Sequence, residues 1–342
     1  MALRGIVRFI AVLVLIGLIA AAATAAWLWR DYQQFLDAPL NLPEQFTYQV
    51  ERGAVLGQVA ADLKAQGVLA KPLYLRLLGR QRGDAGQIKA GEYALTPGLT
   101  PTSLLDLLVS GKVIEYGLTL IEGWTFAQVM AAVRADPILI RTLPEDASAA
   151  AVMTALGHPG VHPEGRFFPD TYLFPRQTTD VQLLGRALGR MTEVLAEEWS
   201  ARESDLPLQS AEEALVLASI IEKETGLASE RAEIAGVFVR RLRKGMLLQT
   251  DPTVIYGLGE AFDGDLRRRD LKQDTPYNTY TRPGLTPTPI CMPGRESIHA
   301  ALHPAEGDAL YFVATGDGGH YFSATLEEHN RAVRRYQIEK RR

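Results

Sequence analysis

The sequence predicts an α+β protein in three parts: one membrane-crossing helix, a small α+β domain and a larger mixed α/β domain. Three observations carry this. Phe9 to Trp29, "FIAVLVLIGLIAAAATAAWLW", contains no charged residue and is about as long as a helix that crosses a bilayer's hydrocarbon core. Two strand–turn–helix patterns lie within residues 46–112. Beyond residue 113, helical stripes alternate with Pro- and Gly-rich stretches and end in a hairpin signal.

Arg4 and Arg8 precede the apolar run, so the positive-inside bias predicts a cytoplasmic N-terminus with the body outside the cytoplasm. Trp27 and Trp29 close the run, where indole rings favour the headgroup layer. A cleavable signal peptide is the alternative, because "AAATAA" offers small residues. Its apolar core, however, usually spans only about 7–15 residues. A single anchor with the body outside the cytoplasm, in a periplasmic or extracytoplasmic setting, is expected.

Residues 31–45 contain two prolines and no helical stripe, and read as a linker. A strand at Phe46–Val50 and a turn at Gly53 lead into a helix with Val55, Val59 and Leu63 on one face, ended by Gly67. A second strand near Tyr93 precedes a helix from about Thr102 to Val109, stopped by Gly111. From Val113 a strand and a turn at Gly123 lead to Thr125, an N-cap for "FAQVMAAVRAD". Residues 144–175 read as an ordered loop.

Helices are expected at about 180–202, 210–225 and 229–244, the last followed by Gly245. Residues 274–294 hold five prolines and show no period. "ALYFVATGDGGHYFSAT" reads as a hairpin, and "TLEEHNRAVRRYQIEK" as a closing helix.

Composition narrows the function. The 342 residues are 47% hydrophobic and 22% charged, with a net charge of −4. That balance argues against bulk nucleic-acid binding. The single cysteine, Cys291, excludes an intramolecular disulfide framework and a multi-cysteine zinc site.

The chemistry-bearing feature is "SIIEKETGLASER", Ser219 to Arg231. On a helical wheel Leu215, Ala218, Ser219 and Glu222 share a face, while Val216, Leu217, Ile220 and Ile221 cover most of the rest. A helix apolar nearly all round is buried. Glu222 lies along a line of small residues that leave room for a ligand, and Glu224 points to the other side. Burial and the helix C-terminus are both expected to favour the protonated form of Glu222, which suits a general acid. The alternative is a salt bridge from Glu222 to an arginine such as Arg231.

At this point the residues carry a resemblance. "ASIIEKETGLASERAEIAGVFVRRLRKGMLLQTDPTVIYGLG", "YNTYTRPGLTPTPICMPGRESIHAALHP" and "YFVATGDGGHYFSATLEEHNRAVRRY" are similar to the signatures of the endolytic murein transglycosylases, the YceG-like family. Gly284-Leu285-Thr286-Pro287 departs from that family's usual Gly-Leu-Pro-Pro. The resemblance implies an inner-membrane lyase whose anchor, residues 1–30, and linker, residues 31–45, precede a LysM-like domain at residues 46–112. A catalytic domain then fills residues 113–342.

It also implies cleavage of the MurNAc-β-1,4-GlcNAc bond of nascent peptidoglycan glycan strands, leaving 1,6-anhydroMurNAc ends and limiting strand length. Membrane-bound synthases are the implied partners, with no nucleic acid, cofactor or metal. Glu222, the first Glu of "EKET", takes the catalytic role. One carboxyl group suffices, because the sugar's own C6 hydroxyl replaces the second carboxylate of ordinary glycosidases.

Candidate substrate contacts are Gln249, Thr250, Asp251 and Tyr256 on a loop after the third helix, with Tyr277, Asn278 and Tyr280; Glu164 is placed on the far wall, where Asp170 is a further candidate. Each has a structural alternative, such as Asp251 as a helix cap or the tyrosines as packed rings.

His299 and His303 have the spacing of a zinc pair but lack the intervening glutamate of the zincin pattern. "TGDGGH" joins two strands instead of opening a helix, which argues against a phosphate cradle. Two rival functions remain open. A non-catalytic glycan-binding scaffold would use the LysM-like module alone. A pyridoxal-phosphate lyase of aminodeoxychorismate type would need a Schiff-base lysine, and beyond residue 112 only Lys223, Lys244, Lys272 and Lys340 exist, none beside a phosphate loop.

Overall fold

A computed structural model of the chain describes residues 2–44 and 46–339, with side chains from Gly5 onward. The side chain of Arg4, Gln45 at the end of the expected linker, and Lys340 lie outside the described residues. The chain divides into two compact units, residues 1–116 with 175–177, and residues 117–174 with 178–342. Among the described residues the strands form three two-stranded sheets, so helices supply most of the packing.

In the first unit, α1 (Ala2–Asp37) is the one described helix long and apolar enough to cross a membrane. At 1.5 Å rise per residue it is about 54 Å long, more than a bilayer's hydrocarbon core requires. The surplus corrects the expected linker. Residues 31–37 continue the helix, and Tyr32 and Phe35 turn inward, 4% and 8% exposed. Both rings pack edge-on against Tyr74, and Asp31 pairs with Lys71 at 2.6 Å. A short amphipathic stripe (Tyr32, Phe35, Leu36) was present but hidden among polar neighbours.

Strand β1 (Phe46–Val50) is followed by α2 (Leu56–Ala65), α3 (Pro72–Arg82), β2 (Gly91–Leu95) and α4 (Pro101–Ser110). Strands β1 and β2 pair antiparallel, with Tyr48 opposite Tyr93. Val55 is the N-cap of α2 and 57% exposed, so the buried stripe is Leu56, Val59 and Leu63. Helix α3 went unread because its stripe is thin (Leu75 and Leu78) among arginines, although Pro72 at its start is a helix-opening signal.

The second unit is built around one helix. In chain order its elements are β3 (Glu115–Thr119, whose first two residues belong to the first unit), α5 (Phe126–Ala135), α6 (Ala149–Ala155), β4 (Thr171–Pro175), α7 (Asp180–Ser200), α8 (Ala211–Glu224), α9 (Arg231–Arg243), α10 (Asp251–Leu258), α11 (Arg295–Leu302), β5 (Tyr311–Ala314), β6 (His320–Ser323) and α12 (Leu326–Val333). Ser210 caps α8 by accepting from the Glu213 N–H. Helices α7, α9, α10 and α11 pack around α8. Leu215, Leu217, Ile220 and Ile221 of α8, Ile234 of α9 and Ile298 of α11 are all sealed from solvent.

Residues 144–175, expected as loop, contain α6 and β4. Residues 274–294 are irregular, as their prolines imply. They are pinned by side chains: Tyr277 meets Thr288 at 2.9 Å, and Thr279 meets Thr253 of α10 at 2.9 Å.

One glycine fixes how this segment meets its neighbour. Gly165 has φ 77, and a Cβ there would lie 2.5 Å from the Pro289 Cβ. Gly165→Ala combines left-handed strain with a steric clash and should cost about 2–4 kcal/mol. Denaturant unfolding of the chain in detergent checks this; a variant as stable as the parent would show that the loop yields freely.

Candidate active site

The end of α8 carries two glutamates that face different surroundings. Glu222 turns towards protein. Its side chain is 7% exposed, and its carboxylate accepts from the Gly294 N–H at 3.0 Å and the Ser297 hydroxyl at 2.7 Å. Arg231 stands 3.9 Å away, so the salt-bridge alternative read from the sequence is present.

The line of small residues has a different purpose from the expected one. Ser219 is sealed from solvent; its hydroxyl donates to the Val216 carbonyl and accepts from the Ile290 N–H at 3.0 Å, and its carbonyl accepts from the Cys291 thiol. Residues 290–291 fill the space read as room for a ligand. On this side of α8 the small residues admit the chain itself, at residues 290–291.

Glu224 faces a groove of about 450 Å³ bounded by Gln249, Asp251, Tyr280, Arg241, Tyr311 and His320, among others. Burial pushes the Glu224 carboxyl up to about 7. The Thr250 hydroxyl, which donates to Oε1, and His320 pull it down, while the charge of Asp251 pushes it up. The properties expected of an acid, enclosure and access to a groove, meet at Glu224.

Its partners are set by local folding. Gln249 holds a left-handed φ of 52, uncommon for a side-chain-bearing residue and a form of strain often found at functional sites. That turn carries the chain from α9 into α10, with Thr250 as N-cap and Asp251 as first residue. The stretch read as a loop is thus a helix start. Thr279 secures it: its carbonyl accepts from the Gln249 N–H at 3.1 Å and its hydroxyl from the Thr250 N–H at 3.1 Å. Asp251 accepts from the Tyr280 hydroxyl at 2.5 Å.

The remaining sequence candidates lie elsewhere. Asn278 is sealed from solvent, and its amide donates to the carbonyls of Asp270, Leu271 and Gln273. Its role is to hold the irregular segment. Tyr256 donates to Glu164 at 3.0 Å and packs edge-on with Tyr277, 4.9 Å between ring centres. Glu164 is 3% exposed, and burial pushes it up to about 7 against hydrogen bonds from Tyr256 and the Phe126 and Gly165 backbone. None of these four lines the groove. Asp170 lies outside it as well, accepting from the Thr171 N–H.

Sequence reasoning missed Arg241, Tyr311, His320 and His329, which complete the groove. The aromatic hairpin "YFVATGDGGHYF" was the available signal, but it carried no hint that it would fold over the end of α8.

A metal-capable set exists apart from the groove. Glu198 of α7 joins His299 and His303, with ligand atoms within 4.8 Å of one another. The histidine pair thus finds the carboxylate that its own segment lacks. Yet His299 Nδ1 already meets Glu198 at 2.9 Å, and both nitrogens of His303 face carbonyls, of Ala201 at 2.9 Å and His299 at 3.2 Å. Carbonyls only accept, so a neutral His303 donates to one of them and turns the lone pair of its other nitrogen towards the second carbonyl.

The Glu224 environment sets a pH dependence of stability. The folded chain holds this proton more tightly than the unfolded chain, so stability is greatest below about pH 4.5 and falls as pH rises towards 7. The full effect is about 3 kcal/mol. Glu164 adds a slope of the same sign. Glu224→Gln should therefore match the parent near pH 4.5 and exceed it at pH 8; equal stability of the two proteins at both pH values would contradict the assigned environment.

Comparison with known proteins agrees with this architecture. The YceG-like family matches residues 48–335. An endolytic murein transglycosylase of Bacillus subtilis (strain 168) is 33% identical over 323 residues, covering 89% of both chains. One from Streptococcus pneumoniae (strain D39) is 27% identical, and the match spans 92% of this chain but 63% of that longer protein. The crystal structure of a yceG-like protein from Listeria monocytogenes superposes with a TM-score of 0.52 at 31% identity, covering 85% of this chain and 99% of that one. With the family match spanning both units and the Glu224 groove, the chain belongs to the YceG-like family.

Proposed function

We propose that the chain is a membrane-anchored peptidoglycan lyase, an endolytic lytic transglycosylase, with Glu224 as its acid and base. The observation that carries this is a carboxyl group pushed up to about 7 in a groove lined by polar and aromatic side chains. The names of the relatives supply the substrate class.

In this reading protonated Glu224 donates to the oxygen of the MurNAc-β-1,4-GlcNAc bond. The C1–O bond breaks and oxocarbenium character develops at C1. The C6 hydroxyl of the same MurNAc attacks C1 and returns its proton to Glu224. The products are a 1,6-anhydroMurNAc end and a free 4-hydroxyl, with no water consumed. Thr250 holds the carboxyl in place, and Asp251 with Tyr280 offers hydrogen bonds to sugar hydroxyls. Thr250 is therefore a positioning residue, while Gln249, Asp251 and Tyr280 are the sequence candidates retained as substrate contacts.

The finer features belong to the same reading. The β1–α2–α3–β2 arrangement supports a LysM-like glycan-binding module in residues 46–112, with residues 113–342 catalytic. Helix α1 serves as a single-pass inner-membrane anchor with a cytoplasmic N-terminus, leaving the groove in the periplasm. Cutting nascent strands there, beside membrane-bound synthases, would limit their length.

Glu224→Gln should lower the release of anhydro ends by at least about a thousandfold, whereas Glu222→Gln should retain cleavage with reduced stability. Mass spectrometry of digested glycan strands reads both. The opposite pattern would return the catalytic role to Glu222, and reducing ends in place of anhydro ends would make the enzyme a hydrolase. Because the acid must be protonated, kcat/KM should fall tenfold per pH unit above about 7 in the parent. A flat profile from pH 7 to 9 would remove Glu224 as proton donor.

A further inference from the structure

Arg241 is a buried cation without an anion. It is 7% exposed, yet among the described residues no carboxylate lies within ion-pair reach of it. Its Nε donates to the Leu310 carbonyl at 2.6 Å, and Nη1 to the carbonyls of Leu247 and Leu248 at 3.0 and 2.9 Å. Gln249 Oε1 lies 3.4 Å from Nη1. These bonds hold the turn before α10 and engage Nε and Nη1. Nη2 has no acceptor among the described residues, and the side chain lines the groove that contains Glu224.

A second donor stands beside it. His329 of α12 lines the same groove, and its buried Nδ1 has no hydrogen-bond partner among the described residues. The Tyr311 ring lies under both, 5.0 Å from the Arg241 guanidinium carbon and 5.3 Å from the centre of the imidazole. Two other buried charges of this unit have both carboxylate oxygens engaged. Glu198 meets Arg295 at 2.7 Å, and Asp180 accepts from the backbone N–H groups of Thr142 and Leu143. A buried charge is costly unless paired, so the missing anion is expected from the ligand. The groove carboxylates do not supply it: Glu224 is engaged by Thr250 and Asp251 by Tyr280.

We propose that Arg241 Nη2 and His329 form a carboxylate-binding subsite, so that the groove selects glycan chains whose sugars bear carboxylate-containing substituents over neutral chains. The inference rests on the glycan-cleaving reading above. Glu224 supplies the proton at one part of the groove, while Arg241 fixes the register of the strand through a charge-assisted hydrogen bond. A neutral chain leaves the guanidinium buried and unpaired in the complex, which penalises binding and not the chemical step.

The test compares two substrates on the full chain in detergent: peptide-bearing glycan strands, and the same strands with their carboxyl groups converted to methylamides. For the parent protein, KM should rise at least tenfold on the neutralised strands while kcat stays within about threefold. In Arg241→Gln the KM difference between the two substrates should shrink below threefold, because native strands bind worse. In His329→Gln it should take an intermediate value. Should Arg241→Gln lose cooperative unfolding, Arg241→Lys replaces it, with a difference smaller than the parent's.

Equal KM values for the two substrates in the parent would overturn the subsite and leave the cleavage reading standing. So would a full difference retained in both the Arg241 and His329 variants. Failure of the parent to cleave either substrate would instead overturn the cleavage reading.

Discussion

The burial of one carboxyl group at the C-terminal end of α8 is the constraint on which the rest of the site depends. An ionised carboxylate so enclosed is expensive, and the energy is recovered by keeping the proton. The surrounding structure makes that state specific. Helices α7, α9, α10 and α11 fix α8 on several sides, the Thr250 hydroxyl fixes Oε1 of Glu224, and the hairpin β5–β6 covers the groove without filling it. The two glutamates of α8 thus do different work. Glu222 is consumed by Gly294, Ser297 and Arg231, tying α8 to the start of α11. Glu224, held by Thr250, lines the groove.

The site carries its own energetic tension. Besides the raised Glu224, it contains the left-handed Gln249 and the unpaired guanidinium of Arg241. Each is unfavourable in isolation and persists because its neighbours over-determine it. Gln249 is held by Thr279, and Arg241 by three backbone carbonyls. The left-handed Gln249 and the guanidinium of Arg241 at one groove follow the general pattern in which strain is held at functional sites by the surrounding structure.

Much of the fold was legible. Thr125 and Gly111 marked helix boundaries through chemistry that acts over a few residues. The hairpin around "GDGG" was readable from alternation and turn residues, and its register follows, with Phe312 opposite Phe322. Helix α3 and the last turns of α1 were not, because their apolar stripes are short and become stripes only where Tyr74 packs against Tyr32 and Phe35. Helix α6 and strand β4 were hidden in the same way within a stretch dominated by Pro and Gly.

By itself the sequence determined the apolar anchor, the buried helix α8 and the placement of an acid at its end, because hydrophobic periodicity and caps are local properties. It also placed Glu222 and Glu224 on different faces. Which face opens onto a groove was decided only by tertiary structure. Residues 290–291 cover Ser219 and close one side, while α10, Tyr280 and the hairpin arrive from distant positions to form a groove on the other. Small side chains on a helix mean only that something approaches closely, and whether that something is ligand or more of the same chain depends on residues far away in sequence.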